Sequence, residues 1–209
     1  MWKFGVLAAG LMVLAACETM SKEECAAADW HAIGYTDGAA GATMKKFSDR
    51  AESCAKKGFQ ANLSAYNPGR DQGLRTFCVA GRGWSEGLNG YNYQGICPPD
   101  LEGGFLEGYR DGSYAYRVKS ALSSAQSALS SARAQLDKLE RDIAEQEGNV
   151  RDTTKTKEAR DDARKKVDDL RSQRQGLRDK IRNAEFDVDQ RQHEVDRAHR
   201  DIGGRWGYW

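Results

Sequence analysis

Leu14, Ala15, Ala16 and Cys17 specify the clearest chemistry in this chain. Lys3 gives a positive start, an apolar and glycine run follows over residues 4–14, and small residues then lead into a cysteine. This is the layout of a secretory signal with a bacterial lipobox at its cleavage point. There, a diacylglycerol is joined to the cysteine sulfur as a thioether, and the new N-terminus is acylated, for example by palmitate. The sequence therefore predicts a signal peptide over residues 1–16 and lipid attachment at Cys17.

The sequence around Cys17 also predicts where the protein lives. The apolar run is shorter than the ~20 residues of a membrane span, and the mean hydropathy of the chain is -0.76. Glu18 follows Cys17, whereas aspartate is the stronger inner-membrane retention signal in enteric bacteria. We therefore expect an outer-membrane lipoprotein that faces the periplasm, with a secreted protein lacking the lipid as the alternative.

Charge excludes one class of partner. The chain has 32 Lys and Arg against 31 Asp and Glu, for a formal net charge of +1. The two signs are interleaved without a basic block, so the electrostatic footprint of a nucleic-acid binder is missing. The expected partners are the membrane, through the N-terminal lipid, and an envelope protein or peptidoglycan.

The remaining four cysteines form an even set in an exported chain: Cys25, Cys54, Cys78 and Cys97. In an oxidising compartment such a set predicts two disulfides, for which three connectivities are possible. No two of them form the C-x-x-C pair that is typical of a metal site, and we predict no metal or cofactor. If residues 26–38 and 44–57 are antiparallel helices, Cys25 meets Cys54, which leaves Cys78 to pair with Cys97.

A five-residue frame that begins and ends with glycine recurs along the chain, and four of its copies lie at residues 34–38, 69–73, 83–87 and 108–112. Two of them continue to a third glycine, Gly41 and Gly90. Positions i, i+4 and i+7 share one helix face, so the frame predicts glycine stripes on closely packed helices. The alternative is a set of glycine turns, with a hairpin tip at residues 88–91.

One glycine frame also matches the G-x-S-x-G nucleophile elbow, with Ser85 at its centre. That motif needs a preceding strand and a histidine base alongside. The sequence offers no apolar strand before Gly83, and the other copies carry different residues at the serine position. We predict no catalytic residue here, and we interpret His31 as a partly exposed helical side chain.

Residues 17–112, the predicted head of the protein, also contain carboxylates and aromatics at suggestive positions. Asp37 and Asp111 occupy matching frame positions, which favours a repeated capping role or an ion pair with Arg70 or Arg110. The aromatics that cluster in the glycine-rich segment form a candidate binding surface for sugars or a peptide, with core packing as the alternative: Trp84, Tyr91 and Tyr93.

The order and spacing of these head residues resemble a known family. The matching set is Cys25, Asp29, Trp30, Gly34, Tyr35, Asp37, Gly38, Cys54, Tyr66, Gly69, Arg70, Gly73, Leu74, Phe77, Cys78, Gly83, Gly87, Gly90, Tyr93, Cys97 and Pro98. It resembles the domain of unknown function 2799 family of proteobacterial lipoproteins, over residues 25 to about 112 only. Phe77 stands where the pattern has tyrosine. The resemblance implies an envelope lipoprotein and carries over no activity.

Residues 113–202 show two heptad runs that alternate steps of four and three, the period of a coiled coil. The first seam is Val118, Leu122, Ala125, Leu129, Ala132, Leu136, Leu139 and Ile143. The second is Ala163, Val167, Leu170, Leu177, Ile181, Ala184, Val188, Val195, Ala198 and Ile202, with Arg174 and Arg191 also on it. The runs predict an antiparallel hairpin with its tip near residues 148–157, or alternatively a straight parallel dimer.

The hairpin prediction includes a register. Gly148 and Asn149 can stop a helix, and residues 152–154 can start the next one. Folding about Thr153 makes Val118 face Val188, Leu129 face Leu177 and Ala132 face Arg174. The same register sets small against large elsewhere along the seam, as with Ala125 opposite Ile181. Val195, Ala198 and Ile202 should then overrun the first helix and pack near Phe105 and Gly108. Residues 203–209 are expected to be a flexible aromatic tail.

These observations predict an all-α protein with a small, glycine-rich, disulfide-braced head over residues 17–112, followed by the coiled-coil hairpin. The expected function is non-enzymatic, as an envelope scaffold or adaptor. The alternatives are a cell-wall glycan-binding module that uses the head aromatics, or a cell-wall hydrolase.

Overall fold

The computed structural model describes residues 20–207 and 209, so the predicted signal peptide and the predicted lipid site at Cys17 lie outside the described residues. Across that part of the chain all regular structure is helical, which confirms the all-α prediction: α1 (Lys22–Ala26), α2 (Trp30–Ala39), α3 (Met44–Ala55), α4 (Leu63–Phe77), α5 (Ala80–Leu88), α6 (Pro99–Arg151) and α7 (Lys157–Trp206). The described residues form two compact units, 20–79 with 93–104 and 80–92 with 105–209. The second unit includes α5, which the sequence had suggested would belong to the head.

In the first unit, α2 and α4 cross at their glycines. Asp29 and Asn62 cap the two helices by accepting a backbone N–H three residues on, at 3.0 Å each. A Cβ atom at Gly34 or Gly38 of α2 would overlap a backbone carbonyl oxygen of α4. The two helices therefore lie closer together than any side chain at those positions would permit.

The contact is reciprocal. On α4, Gly69 and Gly73 face the carbonyl oxygens of His31 and Tyr35 on α2, and a Cβ atom at either glycine would overlap them. Each helix thus presents two glycines one turn apart, as the frame predicted.

The second unit repeats this arrangement with α5 and α6. Gly83 and Gly87 of α5 lie against the carbonyl oxygens of Phe105 and Tyr109. In return, Gly108 and Gly112 of α6 lie against those of Ala80 and Trp84. The four frames are consequently two pairs, the first with the second and the third with the fourth, and all four are helical rather than turns.

The third glycines do not extend these stripes, contrary to the prediction. Gly41 and Gly90 lie beyond the ends of α2 and α5, with φ of +70° and +72°. At each end two backbone bonds close a Schellman cap: Gly41 donates to Gly38 and Ala42 to Asp37, and Gly90 donates to Gly87 and Tyr91 to Glu86, at 2.8–3.1 Å. The suggested hairpin tip at residues 88–91 is therefore a helix cap. A left-handed backbone conformation explains both glycines, since other residues adopt it at a cost.

Two disulfides close the first unit with the predicted pairing. Cys25 joins Cys54 and Cys78 joins Cys97, with Cα atoms 5.4 and 5.7 Å apart. By restricting the unfolded chain, loops of this length contribute about 3–4 kcal/mol each. The first disulfide lies inside the core cluster that also holds Met20, Trp30 and Tyr66.

The long helices of the second unit form an antiparallel hairpin. None of the predicted seam residues is exposed. The ion pairs that join the two helices include a regular series at 2.7–3.3 Å: Arg133 with Glu185, Glu140 with Arg178, and Glu147 with Arg171. From each pair to the next, the residue on α6 advances by seven positions and the residue on α7 goes back by seven. This is the geometry of antiparallel helices in one continuous register.

The predicted register is wrong by one heptad. Val118 packs with Val195 and Ala198, not with Val188. A slide of seven residues returns every seam position to an equivalent one, so the repeat alone does not fix the register. As a result, Val195 and Ala198 belong to the paired part of the hairpin instead of overrunning it.

The turn and the tail also differ from the predictions. α6 continues through Gly148 and ends at Arg151, and the cap of α7 is Thr156, whose hydroxyl accepts from the N–H of Ala159 at 3.2 Å. Asp152 instead shapes the turn, accepting from the N–H of Thr154 at 2.9 Å. At the other end α7 remains helical through Trp206, so the segment from residue 203 is not a flexible tail up to that point.

The glycine contacts predict a position-specific effect within α5. Gly83→Ala should destabilise the protein by about 1–3 kcal/mol, because its Cβ meets a backbone oxygen and the helices must separate. Gly81→Ala, two residues away in open space, should be neutral or gain up to ~1 kcal/mol. Urea unfolding followed by circular dichroism measures both, and equal effects would contradict the close contact.

The register predicts which engineered cysteines meet. Leu136→Cys with Leu177→Cys should form an intramolecular disulfide on mild oxidation, since this register places residue 136 opposite residue 177. Leu129→Cys with Leu177→Cys, the pair that the predicted register favoured, should not, because seven residues displace its Cα atoms by ~10 Å along the helix and a disulfide needs ~5.5 Å. Peptide mapping at low protein concentration distinguishes the two. Linkage only between chains would indicate a dimer.

Candidate functional site

Asp37 is the buried charged side chain among the described residues, at 1% exposure. It lies on α2 and forms a close ion pair with Arg50 of α3, while Lys46 of the same helix lies 3.9 Å away. Tyr66 of α4 donates its hydroxyl to the carboxylate at 3.0 Å. A buried carboxylate is costly unless it is paired and hydrogen-bonded, and this cluster satisfies it while connecting three helices.

The surroundings of Tyr66 change the pKa of its hydroxyl group. Its side chain is fully buried, and burial, followed by the hydrogen bond to Asp37, raises the pKa of Tyr66 to about 12. Both effects disfavour the phenolate, because it would be a second negative charge in a low-dielectric site. Tyr66 therefore acts as a hydrogen-bond donor to Asp37 over the physiological pH range.

The Asp37 cluster differs from the sequence interpretation. Asp37 pairs with Arg50, not Arg70, which donates instead to the carbonyl oxygen of Ala42 at 3.1 Å. Nothing in the spacing singled out Arg50. Its position thirteen residues after Asp37 becomes meaningful only once α3 folds back along α2.

The second unit has a different polar contact, at the point where the end of α7 meets α6. Asp111 accepts from Arg205 at 2.7 Å and from the indole N–H of Trp206 at 2.8 Å, whereas Arg110 donates to the carbonyl oxygen of Leu106. Asp37 and Asp111 therefore have different partners, although they occupy matching positions in the glycine frame. Asp111 attaches the end of α7 to α6.

Tryptophans surround this contact. Trp84 of α5 stacks on Trp206 with ring centroids 5.1 Å apart and an interplanar angle of 2°, and Trp209 approaches Trp84 edge-on at 6.1 Å. Trp209 also lies 4.2 Å from the ring of His199 and 5.6 Å from the ammonium group of Lys119. This cluster was not among the sequence-based predictions, although Ala198, Ile202 and Trp206 continue one helix face at steps of four.

The three aromatics of the candidate binding surface have separate environments. Trp84 is partly covered by Trp206, and Tyr93 uses its hydroxyl internally, donating to Glu102 at 3.0 Å and accepting from the N–H of Cys97 at 2.9 Å. Burial raises the pKa of Tyr93. Tyr91 is 61% exposed. The two tyrosines belong to different units.

The residues considered for catalysis occupy helices. Ser85 lies inside α5 between the two glycines that contact α6, not at a strand-to-helix turn, and His31 is exposed on α2. Among the described residues, no group of three or more His, Cys, Asp or Glu side chains is placed to hold a metal ion. A search of the same residues finds no helix long and apolar enough to cross a membrane.

Comparison with known proteins identifies one family. Residues 29–114 match the family model described as Protein of unknown function (DUF2799), which covers both glycine crossings and agrees with the resemblance seen in the sequence. Neither the curated proteins nor the solved structures include a match to the chain.

The Asp37 cluster predicts a hydrogen-bond effect and a pH effect. Tyr66→Phe should destabilise the protein by about 1–2 kcal/mol at pH 7, because the buried carboxylate loses a donor. Tyr35→Phe, at a site on α2 that is 41% exposed, should change little. Urea unfolding at neutral pH measures this difference.

The pH effect follows from the raised pKa of Tyr66. Above about pH 10 an unfolded tyrosine loses its proton while folded Tyr66 retains it to about pH 12. The unfolded state then binds fewer protons, so this contribution to stability is complete below pH 10 and falls by up to ~1.4 kcal/mol per unit between pH 10 and 12. Wild type should show the decline and Tyr66→Phe should lack this component. Parallel pH profiles for the two proteins would contradict the assignment.

Proposed function

We propose, from the premise that residues 29–114 form a DUF2799 domain, that this protein is a non-enzymatic outer-membrane lipoprotein. It faces the periplasm and acts as an envelope scaffold or adaptor. Cys17 carries the lipid in this proposal. A single acyl chain gives only marginal membrane binding, whereas the two or three chains of a mature lipoprotein hold it firmly.

The observation that carries the proposal is the closed helical hairpin. From Val118 to Arg151, α6 extends ~50 Å at 1.5 Å per residue, and its apolar seam is occupied by residues of α7 of the same chain. Its ion pairs between the helices are internal as well. A long self-contained arm of this kind suits a spacer that presents a docking surface at a distance from its anchor.

One residue of the arm is a natural contact for a partner. Phe186 is 63% exposed on α7, at an outward heptad position next to Glu185, whose carboxylate pairs with Arg133. Aromatic side chains dominate binding energy at protein interfaces. An exposed ring with charged neighbours supports a protein partner that covers Phe186.

The adaptor proposal is tested by photo-crosslinking in intact cells. A photoreactive amino acid at Phe186 should give a discrete protein adduct. The same substitution at Ser172, an exposed outward position two heptads earlier, should give much less. The adduct should decrease when Cys17→Ala releases the protein from the membrane. Equal labelling from the two positions would contradict a specific docking residue.

The same cells test the anchor. Wild-type protein should fractionate with the outer membrane, and Cys17→Ala should accumulate in an unprocessed or soluble form. Wild-type protein recovered free in the periplasm would contradict lipid anchoring, independently of the crosslinking result.

A further inference from the structure

Met20, the first of the described residues, is already packed in the core of the first unit. The Met20 side chain is 7% exposed in the core of the first unit, and its sulfur lies 3.8 Å from that of Cys54. The hydroxyl of Ser53 donates to the carbonyl oxygen of Met20 at 3.1 Å. Both the side chain and the backbone of Met20 are therefore held by α3.

The next five residues form a capped helical turn that a disulfide joins to α3. Ser21 and Glu24 form a capping box: the Ser21 N–H donates to the Glu24 carboxylate at 2.6 Å, and the Glu24 N–H donates to the Ser21 hydroxyl at 3.1 Å. Cys25 is then joined to Cys54. No slack remains between Met20 and the core, so the end of the unit around Met20 moves with the rest of it.

The sequence bounds the distance from this point to the lipid. Only Glu18 and Thr19 separate Cys17 from Met20. Three peptide steps span at most about 11 Å between the Cα atoms of Cys17 and Met20. The headgroup layer of a bilayer is itself roughly 5–8 Å thick on each side, so the tether is scarcely longer than the layer that the lipid must cross.

We infer that the first unit docks on the membrane surface through a defined end, which we call the anchor end: α1 and residues 53–57, which include Cys54. The partner is the phospholipid headgroup layer. This inference rests on the proposed lipid attachment at Cys17 and adds an orientation to it. Because Met20 is fixed to Ser53, Cys54 and Cys25, the tether brings α1 and residues 53–57 to the headgroups with Met20.

The chemistry of the anchor end suits headgroups rather than the hydrocarbon core. Lys22 and Glu23 are exposed on α1, and Lys56 is exposed near the end of α3, where it pairs with Glu52 at 2.8 Å. Ammonium groups complement lipid phosphates, and carboxylates complement the amines of zwitterionic headgroups. The disulfide between Cys25 and Cys54 and the neighbouring Met20 side chain are buried, which favours contact at the surface over insertion.

The orientation gives α3 a near end and a far end. α3 has 12 residues and so spans ~18 Å. Lys45 lies at the opposite end from Cys54, with its side chain 77% exposed. The docking model therefore places Lys56 at the headgroups and Lys45 about three helical turns away, which makes the two lysines a matched pair on one helix.

Photo-crosslinking to lipid tests this inference in the full-length, membrane-anchored protein. A photoreactive amino acid at Glu23 or Lys56 should give lipid adducts several-fold above the same amino acid at Lys45, as measured by mass spectrometry of the purified protein. Inserting twenty Gly and Ser residues between Thr19 and Met20 allows a typical separation of ~25 Å. This insertion should reduce the adducts at residues 23 and 56 to the level seen at residue 45.

The intact mass of each variant separates the two ways in which the test can fail. Lipid on Cys17 with equal adducts at residues 23, 56 and 45 would overturn the docking and leave the anchor intact. The same holds if adducts at residues 23 and 56 are unaffected by the inserted linker. A mature protein without lipid on Cys17 would overturn the anchor and the docking together.

Discussion

Direct backbone contact between helices is the constraint on which both units depend. Each of the eight glycines at the two crossings costs about 1 kcal/mol relative to alanine in an isolated helix. In the folded protein the same glycines let one helix lie against the carbonyl oxygens of its partner. Such an approach permits Cα–H···O contacts and dense packing, which offset the cost. Because any Cβ atom at these positions would overlap the partner backbone, glycine is required at the crossings, whereas elsewhere in these helices it is optional.

A glycine crossing brings helices together but provides few side chains to fix their arrangement, so neighbouring groups supply that information. In the first unit the buried Asp37 fixes α2, α3 and α4 through Arg50 and Tyr66. In the second unit Phe105 occupies the position equivalent to Tyr66 and is likewise fully buried, without a hydroxyl to donate. There the ring of Trp84 and the carboxylate of Asp111 engage the end of α7 instead. One repeated backbone contact is therefore completed by a polar cluster in one unit and by an aromatic cluster in the other.

The sequence predicted what depends on spacing, and it failed where two structures share a spacing. Four-residue glycine steps identified the helical crossings, yet Gly41 fits both an i+7 stripe and a left-handed cap, and only the end of α2 distinguishes them. Heptad steps identified the hairpin. They did not fix its register, because sliding one helix by seven residues brings the same type of seam position into contact. Charges beside the seam contained the missing information: the predicted register would have brought Arg133 towards Arg178, whereas the observed one pairs it with Glu185. Large-to-small matching along the seam was a weaker criterion than charge.

The candidate functional residues were likewise predictable only in part. A lipobox is read directly from the chain by the enzymes that process it, so adjacent residues at Cys17 suffice to predict an anchor. A docking surface consists of residues brought together by folding, and sequence identifies it only indirectly. Phe186 illustrates this limit: it lies off the heptad seam, so an analysis that seeks the seam passes over it, and its exposure appears only when α7 is paired. Met20 illustrates the converse, because an unremarkable residue three positions after Cys17 becomes decisive once its burial limits how far the proposed lipid could lie from the fold.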